Sequence, residues 1–105
     1  MKVRYLVAMT VALSFSACAF ADEGEALFKK SGCSVCHAVD KKVVGPAFKE
    51  VAAKYAGDAT AQATLEKKVR SGGAGSWGKI PMPPAAKSLS DETIKTLVTW
   101  VLSRK

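Results

Sequence analysis

Cys33-Ser34-Val35-Cys36-His37 decides the reading of this chain. A Cys-x-x-Cys-His run is the attachment signature of c-type haem. The spacing has a chemical reason. Two thiols add across the two vinyl groups of the porphyrin, and the histidine after the second thiol then lies under the iron, where it can bind as the proximal ligand. Cys-x-x-Cys alone is far less specific, because zinc ribbons and thioredoxin-like redox proteins use it too. The adjoining histidine narrows the choice, and His37 is the only histidine among the 105 residues.

Upstream of the motif the chain opens as an export signal. Lys2 and Arg4 give a positive start, and an apolar run from Tyr5 to Phe20 follows, interrupted by Thr10, Ser14 and Ser16. Ala19-Phe20-Ala21 then offers small residues at the two positions a signal peptidase inspects, before the polar Asp22-Glu23-Gly24. This layout predicts a cleaved secretory signal over residues 1–21 and a single domain over 22–105. The alternatives are an uncleaved anchor, since the run approaches the length that spans a bilayer, and lipid attachment at Cys18, for which Phe15 three places earlier is a poor match.

Cleavage after Ala21 leaves 84 residues and takes away one of the three cysteines. Cys33 and Cys36 remain, and a disulfide between them would close too short a loop to stabilise a domain this small. A chain of this size buries only a modest core, and a bound haem would give its helices a large apolar plate to pack on. With Lys2 and Arg4 gone, 14 basic residues face 9 acidic ones, a net charge of +5. Pairs such as Lys29-Lys30, Lys41-Lys42 and Lys67-Lys68 serve solubility first, yet leave an acidic protein partner open. An export signal and the lack of a binding motif argue against nucleic acid.

The pattern is helical throughout, without sustained period-two alternation, so the fold class is all-α. Glu23 to about Ser31 reads as a short helix closed by Gly32. Phe48, Val51, Ala52 and Tyr55 form one helical stripe, stopped by Gly57. Asp58 or Thr60 caps a third helix marked by Ala61, Leu65 and Val69 and ended by Gly72. Residues 71–84 hold four glycines and three prolines, which predicts an irregular loop. Ser90 caps the last helix, with Asp91 and Glu92 in its first turn and an apolar stripe of Ile94, Leu97, Val98, Val101 and Leu102.

A second axial ligand must come from elsewhere or be absent. Met1 and Met9 fall in the signal, so Met82 is the one methionine left. A lone methionine is usually a core filler, but this one stands between Pro81 and Pro83 in the irregular loop. The prolines restrict its backbone, and a thioether is a soft ligand that suits haem iron and raises its potential. The competitors are a lysine amine and an open site.

With Cys-Ser-Val-Cys-His early, Val44-Gly45-Pro46 after it and Trp77-Gly78-Lys79-Ile80-Pro81-Met82-Pro83-Pro84 late, the chain closely resembles the small bacterial class I cytochromes c. The likeness covers essentially all of 22–105. It implies four short helices wrapped around one haem c, attached through Cys33 and Cys36, with His37 as proximal and Met82 as distal ligand. It further implies that the Pro46 carbonyl accepts a hydrogen bond from the other imidazole nitrogen and that Trp77 bonds a haem propionate. Gly24 with Phe28, and Leu97 with Trp100, match the crossing of the first and last helices.

The resemblance implies a periplasmic, monomeric electron carrier that serves oxidases, reductases or peroxidases, takes electrons from an upstream cytochrome complex and does no catalysis itself. Lys29, Lys30, Lys79 and Lys87 would then line its docking edge. One rival is a haem sensor or small peroxidase with an open distal site, for which no second histidine or arginine is evidently placed. The other is a thiol–disulfide oxidoreductase, whose fold needs a βαβ pattern that this chain lacks.

Overall fold

The computed structural model describes residues 18–105, with side chains from Glu23 onward. The expected signal segment falls outside the described residues, apart from the backbone of 18–21. Four helices follow in order: α1 (Cys18–Lys30), α2 (Phe48–Lys54), α3 (Ala61–Ser71) and α4 (Asp91–Leu102). The described residues contain no strand, only two isolated bridges. The fold is all-α, as the periodicity predicts.

The last helix organises the rest. Ser90 is in an extended conformation and its hydroxyl accepts from the Thr93 amide at 3.1 Å, which satisfies one of the open donors at the helix start. Ile94, Leu97, Val98 and Trp100 are buried on the face that meets α1, α2 and α3. Each such side chain contributes roughly 1.5–3 kcal/mol by leaving water. At the other end Arg104 Nε donates to the Trp100 carbonyl at 3.1 Å and its guanidinium lies 4.7 Å from the centre of the Trp100 ring. The helix is thus closed at both ends by side chains of its own segment.

Where α1 crosses α4, Phe28, Phe48 and Trp100 form an aromatic cluster with ring centres 5.2–5.8 Å apart. Gly24 makes the crossing close, since a methyl group there would overlap the Trp100 indole. The packing role of Gly24, Phe28, Leu97 and Trp100 therefore has direct contacts behind it. The Trp100 indole nitrogen is buried without a partner among the described residues, a cost offset by burial of the ring.

Local details differ from the sequence expectation. The backbone of α1 starts at Cys18, five residues before Glu23, because nothing between them breaks a helix. The Asp58 carboxylate takes both the hydroxyl and the amide of Thr60, at 2.7 and 2.8 Å, which holds its carboxyl below the usual range. Thr60 stands at the cap position of α3, but neither side chain bonds an amide inside that helix. A single 3-10 turn over Cys33–Val35 also appears, where the sequence offers no periodic signal.

Candidate functional site

The 3-10 turn is what places the motif. Cys36 and His37 amides both donate to the Cys33 carbonyl, at 3.2 and 2.9 Å. The Cys36 carbonyl in turn accepts from the Val44 and Gly45 amides, at 3.1 and 2.7 Å, and so folds the following loop back beneath the motif. That return brings Pro46 to His37, with 2.8 Å between the histidine Nδ1 and the proline carbonyl. A carbonyl can only accept, so Nδ1 carries the proton, and in the neutral ring Nε2 is the nitrogen with the lone pair. Phe48, first residue of α2, stacks on the imidazole at 4.9 Å.

The irregular loop supplies the facing wall. Its neck is closed by Met82 and Gly73, whose amides and carbonyls bond each other at 2.9 Å in both directions. Beyond the neck the Ala85 amide donates to Val69 of α3 at 2.9 Å, and Arg70 grips the Leu89 carbonyl and the Asp91 carboxylate, both at 2.6 Å. Met82 is half-buried and its neighbours Pro81 and Pro83 limit its backbone. The loop is irregular but tied at its base.

Between the walls lies a mainly apolar cavity of about 280 Å³. Cys33, Cys36 and His37 line it from the motif, and Trp77 and Met82 from the loop. Pro46 lines it as well, so the cavity brings together all six residues expected from the sequence to contact a haem. Two thiols, an imidazole with a free Nε2, a thioether and an apolar surround are a donor set that fits haem c and little else. Among the described residues no three His, Cys, Asp or Glu side chains are arranged to hold a metal ion between them, so no closed zinc site is built. Burial pushes the Cys33 thiol up from its ordinary value, the reverse of the depressed thiol that a thiol–disulfide exchanger needs.

The chain matches the cytochrome c family over residues 21–105. It belongs to the cytochrome c family. Cytochrome c-551 of Azotobacter vinelandii is 55% identical over 84 residues, covering 80% of this chain and 100% of that protein. Cytochrome c-551 of Pseudomonas aeruginosa is 54% identical over 87 residues, covering 83% of this chain and 82% of that one. The crystal structure of wild-type Nitrosomonas europaea cytochrome c552 superimposes with a TM-score of 0.73 at 47% identity, over 77% of this chain and 99% of that chain. This cytochrome c carries haem c through thioethers to Cys33 and Cys36 and is a single-haem electron-transfer protein.

The lysines sort less cleanly than the six residues at the cavity. Of the four expected at the docking edge, Lys79 lines the cavity, whereas Lys30 and Lys87 are exposed away from its lining. Lys29 faces Glu25 one turn back on α1 at 3.2 Å, with both side chains well exposed. Lys42 and Lys68 line the cavity and were not singled out. The spacing of Lys68 from Leu65 and its place beside Val69 on α3 is the signal that could have found it.

Proposed function

We propose that this cytochrome c is a periplasmic carrier rather than an enzyme, with His37 as proximal and Met82 as distal ligand of its haem. The observation that carries the reading is the His37 ring, whose Nδ1 proton is committed to Pro46, in a residue that lines the same cavity as Met82. Haem c supplies a one-electron Fe(II)/Fe(III) couple. The chain's own part is to hold the imidazole in one tautomer, to present a soft thioether from a restrained loop and to keep water from most of the cofactor. Trp77, at the cavity and 39% exposed, is suited to donate its indole N–H to a propionate.

Catalysis is disfavoured by what surrounds the cavity. Peroxide cleavage wants a distal histidine or arginine. His37 is the only histidine, Arg70 is committed to Leu89 and Asp91, and Arg104 lies over Trp100. Residues 1–21 are read as a removed export signal, supported by their layout and by a family match that begins at residue 21. Among the described residues no helix is long and apolar enough to cross a membrane.

The mature protein should have the mass of residues 22–105 plus one haem, and its reduced form should resist carbon monoxide. Rapid carbon monoxide binding by the wild type would overturn Met82 ligation, and a bare 84-residue mass would overturn the haem reading.

Partners are read as acidic-faced redox proteins: an upstream cytochrome complex and a terminal oxidase, reductase or peroxidase. Lys42 and Lys79 stand at the cavity, and Ile80, which also lines it, is an exposed apolar contact. Charge of this kind steers encounter and is screened by salt. The rate of electron transfer with a physiological partner should therefore fall severalfold between about 10 mM and 150 mM salt, by stopped-flow. An unchanged rate excludes steering by these lysines.

A further inference from the structure

We propose that Lys54 is a positioning residue for the loop that carries Met82, a strap that joins the two walls of the haem cavity. The proposal rests on the His37 and Met82 reading for its functional meaning, though not for its geometry. Lys54 is the last residue of α2, whose first residue, Phe48, stacks on His37. Its Nζ donates to the Ser76 carbonyl at 3.0 Å and lies 4.4 Å from the centre of the Trp77 ring. One short helix therefore touches the histidine wall with one end and the methionine wall with the other.

The loop needs such a tie. Residues 74–81 form an excursion beyond the Gly73–Met82 neck, and within it Gly75 bonds the Gly78 carbonyl at 2.9 Å. Among the described residues, the one hydrogen bond that reaches 74–81 from outside the loop is that of Lys54. Ile80 is 65% exposed and contributes little packing. A segment with few tertiary bonds opens locally at small cost. Because the neck is made by the backbone of Met82 itself, opening of the tip loosens the residue that holds the distal side.

An exposed lysine on a helix is ordinarily a solvated charge. Lys54 differs because two separate groups of the same loop, a carbonyl and an aromatic face, converge on its ammonium from 22 and 23 residues away. The carbonyl needs an N–H donor and the aromatic face a positive charge. Arginine can supply them and methionine cannot, although methionine keeps the apolar stem.

The test compares wild-type, K54M and K54R holo-proteins. Carbon monoxide binding to the reduced form reads the distal side, and hydrogen exchange at the Gly75 amide, which donates to the Gly78 carbonyl, reads the loop tip. In K54M both rates should rise roughly fivefold, as expected for the loss of one exposed cation–π contact with its hydrogen bond. K54R should return both to within about twofold of wild type. Unchanged tip exchange in K54M overturns the strap. So does a K54M whose global unfolding midpoint falls in step with its carbon monoxide rate and is not restored by arginine. Tip exchange does not depend on what Met82 binds, so a wild type that takes carbon monoxide at once would remove the ligand reading and still leave the strap tested.

Discussion

Replacing Met82 with alanine should leave a folded protein with its haem still attached, yet without the weak methionine-to-ferric-iron absorption band. Attachment survives because it depends on thioethers to Cys33 and Cys36, on the opposite wall of the cavity. The distal side changes completely, since Met82 is the only methionine outside the first 21 residues. Lys42, Lys68 and Lys79 also line the cavity, but an ammonium group is a donor only and has no lone pair for iron. Water and carbon monoxide therefore gain access. Loss of a thioether that favours the reduced iron should lower the reduction potential by on the order of 0.1–0.3 V, within the roughly 0.8 V range that axial ligands span. The stability loss should be about 1–2 kcal/mol, below that for a fully buried methionine, because Met82 is half-buried. Spectroelectrochemistry with carbon monoxide titration checks all of this. A Met82→Ala protein that keeps the band and the potential would show that another group is the ligand.

What the sequence disclosed and what it concealed follow from the range of the interactions. The last helix was legible because its signals are local: Ser90 bonds Thr93 three residues on, and its apolar stripe repeats at the helical period. The loop of residues 71–84 was legible because glycine and proline act on their own backbone. The His37–Pro46 bond spans nine residues and depends on the Cys36 carbonyl folding the chain back, so spacing alone does not reveal it and the family likeness had to. Lys54 was invisible for a related reason. On α2 it looks like any solvating charge, and its partners at Ser76 and Trp77 lie across the cavity. At Asp58 and Thr60 two good capping residues stood close enough to bond each other, and that local pair prevailed over the helix.

The second large effect is expected at Gly45, a residue that carries no ligand atom. A Cβ built there would lie 2.9 Å from His37 Nδ1 and 3.0 Å from Nε2, and closer still to the carbon between them. Real Cβ atoms do not approach a ring so tightly, so something must move. The imidazole has little room, since Nδ1 is bonded to Pro46 and Phe48 stacks on the ring. The backbone has little either, because the Gly45 amide is bonded to the Cys36 carbonyl at 2.7 Å and its own carbonyl accepts from Val43. Gly45→Ala must therefore tilt the ring out of its hydrogen bond, at about 0.5–1.5 kcal/mol, or displace the loop, at about 1–3 kcal/mol for an overpacked site. Where both occur the sum, about 1.5–4.5 kcal/mol, is a large share of the stability of a small domain. Thermal unfolding should start from a midpoint lower by roughly 10–25 °C. The ring gives a second readout that mere overpacking elsewhere would not move: the His37 Nδ1–H proton, protected in the wild type by Pro46, should exchange faster and shift in the NMR spectrum. If Gly45→Ala melts with the wild type and that resonance stays in place, the loop is not what holds the imidazole. A positive result would mean that His37 is aimed by the absence of a side chain eight residues downstream, a constraint as strict as the motif itself.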